Sequence, residues 1–567
     1  MSRNGSKLVL ALCLLAALSF GLASGALTSG FGAYEDEPAH VTTALMLRDW
    51  IATRAPLHPV RFAEDYYLHY PKVAIGQWPP VLHIAVALWT LAFGVSQAAL
   101  LALPWLLAAL TAWLTARLVV RELDPDAGAR ATGLQPRAAP PATLWWSGAV
   151  AGIVLLALPL VQEFMSLIMT ELPMAFVGTL GALAFGRWLE APSVKRAVAF
   201  ALVAVLAILT KGSGLALALV PPFALLLARR PGLALRPSLW VVPVLVGLIC
   251  APWYALSLPI VRASWSEGSS PSLEYALRAL TYYPPEVVRL GGPAFIALAA
   301  VGLLVSLRPR RPQAVSAALA AWLGGLALLH ASIPSSLEAR HLVVAAPALT
   351  VFACLGAHAV VRRAVAWGLV RFADPRWAAL GASALLVLPF GALRFTQVKK
   401  DWHGFDEAAA LVCANADLQG DTVLVASGAA GEGLLVLGFA LHEAPRRDRQ
   451  VLRASKVLAS ASWIGDGYET RFESAAGVRE WLASVPVAAV LLDASTPERH
   501  RRAHLVQLRD ALEGAPETWT LAQRVDVVRA GQRFPEALEV WLAPGHAARA
   551  PQLLGLDEVL GRAPRGD

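Results

Sequence analysis

Of 567 residues, 57% are hydrophobic and 16% charged, whereas a soluble protein of this length carries about 25% charged residues; a soluble globular protein is excluded and a polytopic membrane protein remains. The formal net charge of +8 comes without any basic stripe interleaved with aromatics, which argues against nucleic-acid binding and for arginine-rich cytoplasmic loops. Cys13, Cys250, Cys354 and Cys413 show no CxxC spacing and give no basis for a disulfide framework.

The chain opens with a short basic start, Arg3 and Lys7, followed by an apolar stretch long enough to span, so 1–27 reads as a signal anchor. Apolar runs suited to crossing follow at 97–118, 143–160, 173–188, 197–211, 214–228, 238–257, 291–307, 314–331, 342–360 and 378–393, which with 8–27 makes about eleven spans. Basic clusters fix the orientation: Arg117, Arg121, Arg130 and Arg137; Arg187, Lys195 and Arg196; Arg229, Arg230 and Arg236; Arg308, Arg310 and Arg311; Arg362, Arg363, Arg371 and Arg376. All fall on one side if these runs alternate. A further run, 81–96, would break the alternation and is placed as a re-entrant or interfacial helix on the outer face.

This arrangement puts the N-terminus in the cytoplasm and the segments 28–80, 161–172, 258–290 and 332–341 outside, with everything from 394 onward. Two domains are expected: a membrane domain over 1–393, with the outer loop 28–80, and an extracytoplasmic α/β domain over 394–567. In the latter, 422–427 and 487–493 read as buried strands and 474–484 and 499–513 as helices. Gly428-Ala-Ala-Gly-Glu-Gly433 is a loose glycine run, not a nucleotide fingerprint.

The candidate chemistry gathers at the outer boundary. Glu35, Asp36 and Glu37 follow the first span directly. A carboxylate there can take a proton from an attacking hydroxyl, or align a cation; equally, with Pro38 next, the acids can simply start a helix. Glu171 lies between two apolar runs and should have a partner. Lys211, in Leu209-Thr-Lys-Gly-Ser-Gly214, can join backbone N–H groups in holding an anion, or can snorkel from an ordinary turn. Arg340 and His341 open the tenth span; Arg340 can fork onto a phosphate or pair with Glu338. Tyr66, Tyr67, Lys72, Trp78 and His83 sit in or beside the first outer loop, where aromatics serve as interfacial anchors or as platforms for sugar rings. Tyr282 and Tyr283 form a second aromatic pair on the same side.

Taken in order, these residues resemble the polytopic glycosyltransferases that use polyprenyl-phosphate sugars, in particular the bacterial aminoarabinose lipid A transferases and the protein O-mannosyltransferase superfamily. The resemblance rests on Asp36-Glu37, Trp78-Pro-Pro-Val-Leu-His83, Thr170-Glu-Leu-Pro173, Leu209-Thr-Lys-Gly212, Pro252-Trp-Tyr254 and Arg340-His341, and covers roughly 8–360. It implies a polytopic α-helical membrane fold of the GT-C type. It gives Asp36, with Glu37 beside it, the role of base toward the acceptor, makes Glu171 the second acidic site, and assigns phosphate recognition to basic residues including Lys211 and Arg340. The chain departs from the pattern at three places. Glu171 stands for the commoner aspartate, His341 for a tyrosine, and Gln77-Trp78 precede Pro79-Pro80 where a phosphate-binding lysine is expected, so Lys72 is the nearest substitute.

The implied activity is inverting transfer of a sugar from a polyprenyl-phosphate donor to an envelope lipid, glycan or protein acceptor on the outer face of a bacterial inner membrane. The sequence requires no cofactor; a divalent metal, if used, falls to Asp36 and Glu171. Two other readings stay open. A transporter or flippase for a polyprenyl lipid or polysaccharide would carry ionisable residues through its span interiors. A non-catalytic assembly protein for envelope glycan would use the tail domain to recruit partners.

Overall fold

The computed structural model describes residues 2–54, 58–124, 141–264, 271–308, 313–334, 336–370, 375–392, 397–418, 421–443, 449–461, 467–496, 501–543 and 554–559. Arg130, Arg137, Arg310, Arg311, Arg371 and Ser335 lie outside them. The chain forms two compact units: Met1–Ser24, Leu101–Leu258 and Glu267–Lys399 make the first, and Gly25–Leu100, Pro259–Ser266 and Lys400–Asp567 the second.

The first unit is helical. Among the described residues of the whole chain, seven helices are long and apolar enough to cross a membrane: Asn4–Ala23, Gln97–Leu123, Glu171–Glu190, Pro237–Arg262, Leu273–Ser306, Ala314–Ser332 and Ala346–Ala366. Ala142–Ala157 and Pro159–Met165 form a further pair bent by 71°. Proline cannot continue the helical ladder, so Pro159 starts a new helix after Leu158. The Gln162 side chain donates to the Ala157 carbonyl at 2.9 Å, which satisfies an acceptor freed at the break. The remaining apolar runs lie on shorter elements, Val194–Ile208, Gly212–Leu227 and Trp377–Leu388.

Helices Leu273–Ser306 and Ala346–Ala366 cross with no room between them. A Cβ on Gly302 would run into the Phe352 carbonyl oxygen, and one on Gly356 into that of Leu298. Small residues allow this approach inside a membrane, where packing rather than hydrophobicity drives association. Gly302→Ala must separate two backbones, and we expect it to cost about 1–3 kcal/mol. The expected readout is a lower melting temperature in detergent; an unchanged one would show that the crossing is slack.

The segment 258–290, which the alternation of spans puts outside, is largely helical. Helix continues to Ser264 and resumes at Leu273, and the 34-residue helix Leu273–Ser306 is broken only at Gly292, whose φ is 84°.

The second unit holds the first-loop helices and a mixed sheet. Helices Asp36–Ala52, Pro59–His69 and Val81–Phe93 precede the strands. Val81–Phe93 has 13 residues, about 20 Å, too short to cross. The strands are β1 (Trp402–His403), β2 (Thr422–Ala426), β3 (Gln450–Arg453), β4 (Ala459–Ser460), β5 (Glu469–Thr470), β6 (Val487–Asp493), β7 (Thr520–Arg529) and β8 (Gln532–Leu542). Six of them pair in the order β1-β7-β8-β6-β2-β3, with β2 parallel to both β3 and β6 and the other pairings antiparallel. Strands β2 and β6 are buried along their whole length, as continuous apolar runs in a parallel sheet should be. Helices Ala475–Ser484 and Ala503–Glu513 pack on that core, near their expected positions; residues 499 and 500 lie outside the described ones.

Candidate active site

In the first unit, six elements bring polar side chains together. Glu171 opens helix Glu171–Glu190 and is fully buried. Its Oε1 receives the Lys211 ammonium at 2.6 Å and lies 3.9 Å from Nε of Arg340. Thr170 donates to its other oxygen at 3.4 Å. The sequence around Lys211 explains its placement. Helix Val194–Ile208 stops, and the chain folds back so closely that a Cβ on Gly214 would lie 2.5 Å from the Ala207 backbone. Tyr254, from the Pro-Trp-Tyr segment, donates to the Ile208 carbonyl at 3.2 Å.

Arg340 and His341 come from the 3₁₀ turn Ala339–Val344. Arg340 also pairs with Glu338, Nε to Oε2 at 2.6 Å, the ion-pair alternative of the two that the sequence leaves open. Glu338 is one-third exposed and can give way to another anion. The Tyr283 hydroxyl and His341 Nδ1 are 2.8 Å apart, and the His341 ring stacks on His330 at 4.3 Å between centroids. Burial, and next the Lys211 ammonium, hold His341 well below the ordinary histidine range, so it is neutral at physiological pH. Sequence reasoning did not single out His330; a histidine at the end of an apolar run was the available signal.

The second unit has its own cluster. Asp36 and Glu37 occupy the first turn of helix Asp36–Ala52, where the helix dipole favours negative charge. The two acids differ. Glu37 is wholly buried, and Lys400 donates to both its oxygens at 2.9 and 3.0 Å. Asp36 is half-buried. On the next turn, His40 Nδ1 lies 2.9 Å from His83 Nε2, and its ring is 4.4 Å from that of Trp78. Trp78 and His83 are thus brought to the acidic helix, with His40 between them.

Lys72 is buried beside Arg453, Glu432, Asp36 and Glu35. Burial and then Arg453 push it from 10.5 down to about 7, against the pull of the three carboxylates. The unfolded chain therefore binds this proton more tightly than the folded one. Stability should rise with pH between about 7 and 10, as the folded lysine sheds a charge that the unfolded one keeps. Lys72→Met should flatten that part of the melting-temperature profile; a parallel profile would refute the buried-charge account.

Tyr66 is 1% exposed, packed between Phe62 and Tyr70, and Tyr67 lies against the core of the tail sheet. Tyr66 presents no open ring face, and Tyr67 is half-buried. Glu432, from the glycine run, is bound by Arg453 at 2.9 Å and by the Ser455 N–H at 2.8 Å.

Among the described residues, no group of three or more His, Cys, Asp or Glu side chains is placed to hold a metal ion. Glu171, one of the two acids expected to take one, already faces two cations. A divalent ion at Glu171 would be repelled by Lys211 and Arg340. Lys211 and Arg340 suit an anion, and Glu171 beside them does not fit a metal.

No protein-family model and no curated protein matches this chain. Solved structures do match it along nearly its full length. ArnT from Cupriavidus metallidurans bound to undecaprenyl phosphate superposes with a TM-score of 0.55 at 16% identity, covering 97% of this chain and 100% of that one. The Archaeoglobus fulgidus oligosaccharyltransferase tethered to an acceptor peptide gives 0.54 at 13% identity, covering 94% and 74%. The archaeal AglB from the same organism, with an inhibitory peptide and a dolichol-phosphate, gives 0.52 at 13% identity, again covering 94% and 74%. The chain therefore has the GT-C fold, a polytopic α-helical membrane architecture with a C-terminal α/β domain, and structurally resembles ArnT and AglB.

Proposed function

We propose that this protein transfers a sugar from a polyprenyl-phosphate donor to a hydroxyl on an envelope lipid, glycan or protein, on the outer face of a bacterial inner membrane. The observation that carries the reading is the buried Glu171–Lys211–Arg340 cluster at the ends of apolar helices. Two cations held there by one buried carboxylate form a receptor for a lipid-borne phosphate. Support comes from the likeness to structures that hold undecaprenyl phosphate and a dolichol-phosphate.

In this reading Lys211 and Arg340 hold the donor's phosphate, and Arg340 exchanges Glu338 for a phosphate oxygen. Glu171 keeps the two cations oriented. The acceptor oxygen attacks the anomeric carbon from the face opposite the phosphate. The C–O bond to phosphate breaks with its electrons going to the phosphate, so the anomeric centre inverts. Asp36 takes the acceptor's proton late in the attack. Glu37, bound to Lys400, fixes the helix that carries Asp36.

The test is turnover by purified enzyme in liposomes with a panel of polyprenyl-phosphate monosaccharides. Transfer from at least one of them is expected. Arg340→Ala should raise the donor KM by about 10- to 100-fold, the loss of a hydrogen bond to a charged group. Transfer from a nucleotide sugar alone, or an unaltered donor KM in Arg340→Ala, would overturn the proposal.

A further inference from the structure

Helix Ala314–Ser332 is apolar almost throughout, yet it places His330 one turn from its end. His330 is 7% exposed, and neither ring nitrogen has a hydrogen-bond partner among the described residues. A neutral imidazole carries one donor and one acceptor. Leaving both unmet inside a protein is costly, and a leucine or phenylalanine would fill the same space without that cost. Packing alone does not account for a histidine here.

Its surroundings say what would satisfy it. The ring lies nearly parallel to His341, at 14° and 4.3 Å, and 6.0 Å from Tyr283. The stack fixes the ring plane, and an N–H on either ring nitrogen must lie in it. His341 follows Arg340 in the chain, and the Lys211 ammonium acts on both histidines. The groups gathered there, an ammonium, a guanidinium and an unmet N–H, are the donors a phosphate monoester or diester accepts from.

We infer that His330 is a further binding residue of this site, donating its ring N–H to a phosphate oxygen of the polyprenyl phosphate; this rests on the proposed function. Lys211 and Arg340 supply charge, whereas His330 supplies direction from a third element of the same unit.

The test is equilibrium binding of radiolabelled undecaprenyl phosphate to the purified full-length protein in nanodiscs. His330→Phe keeps a ring for the stack and removes both nitrogens. Its dissociation constant should rise about 10-fold or more, with an equal or higher melting temperature. His330→Gln, which keeps an N–H, should recover part of the loss. Equal binding by the wild type and His330→Phe would overturn this inference and leave the proposed function standing; no binding by the wild type would overturn the proposed function itself. Should His330→Phe fail to fold, the ring ¹⁵N signals of His330 in the wild type give the answer. They should move as undecaprenyl phosphate is added, and unmoved signals would mean that the ring meets water or nothing.

Discussion

Asp36→Asn is expected to lower the turnover of sugar transfer by about 10²- to 10⁴-fold, the range general-base catalysis contributes, with little change in donor KM. Asparagine keeps the size of the side chain and gives up only the charge's interaction with the helix dipole, about 0.3–1 kcal/mol, so the fold should survive. It cannot take a proton. The structure makes Asp36 the better candidate of the two adjacent acids, because both oxygens of Glu37 are already committed to Lys400. Asp36→Glu should recover part of the rate. Turnover within a few-fold of wild type in Asp36→Asn would remove the residue from the chemistry and leave it as a helix-starting charge.

The largest effect on stability is expected at Lys400→Met. Lys400 and Glu37 lie 363 residues apart in the chain and meet in a site closed to water. Burial depresses the Lys400 ammonium below the ordinary lysine range, and Glu37 acts the other way. Removing the lysine leaves a buried carboxylate without its partner, which costs about 3–5 kcal/mol. The double variant Glu37→Gln/Lys400→Met removes both charges and should regain most of that loss. Thermal unfolding of the purified variants checks this directly. If the double variant is no more stable than Lys400→Met alone, the charge is not what matters at this site.

The apolar runs made the helical framework legible, because a bilayer-length hydrophobic segment has few other fates. Strands β2 and β6 were legible for a related reason: Thr422–Ala426 and Val487–Asp493 are short, continuously apolar stretches bounded by turn residues. The helix through much of 258–290 was not, because its tyrosines, prolines and charges carry no bilayer-length apolar run. Glu171, Lys211 and Arg340 were each legible as charges at the edges of apolar runs, and the structure brings these three together. The partner of Glu37 was harder to see. Lys400 stands in a run of ordinary polar sequence, and nothing local says it will meet Glu37. Tyr66 reads equally as an anchor or a sugar platform, because aromatic spacing in a loop does not reveal which face is covered. His330 was passed over because a lone histidine beside an apolar run is usually a core residue; only its unmet nitrogens and its stack on His341 distinguish it.

The most direct measurement of the donor class is native mass spectrometry of the intact protein, first as purified and then after addition of excess polyprenyl-phosphate monosaccharide. The wild type should retain one polyprenyl-phosphate species, and Arg340→Ala should lose it at lower collision energy. A wild type that holds only bulk phospholipid after the addition, or that holds the species no more firmly than Arg340→Ala, would contradict the assignment of this cluster to a lipid-borne phosphate.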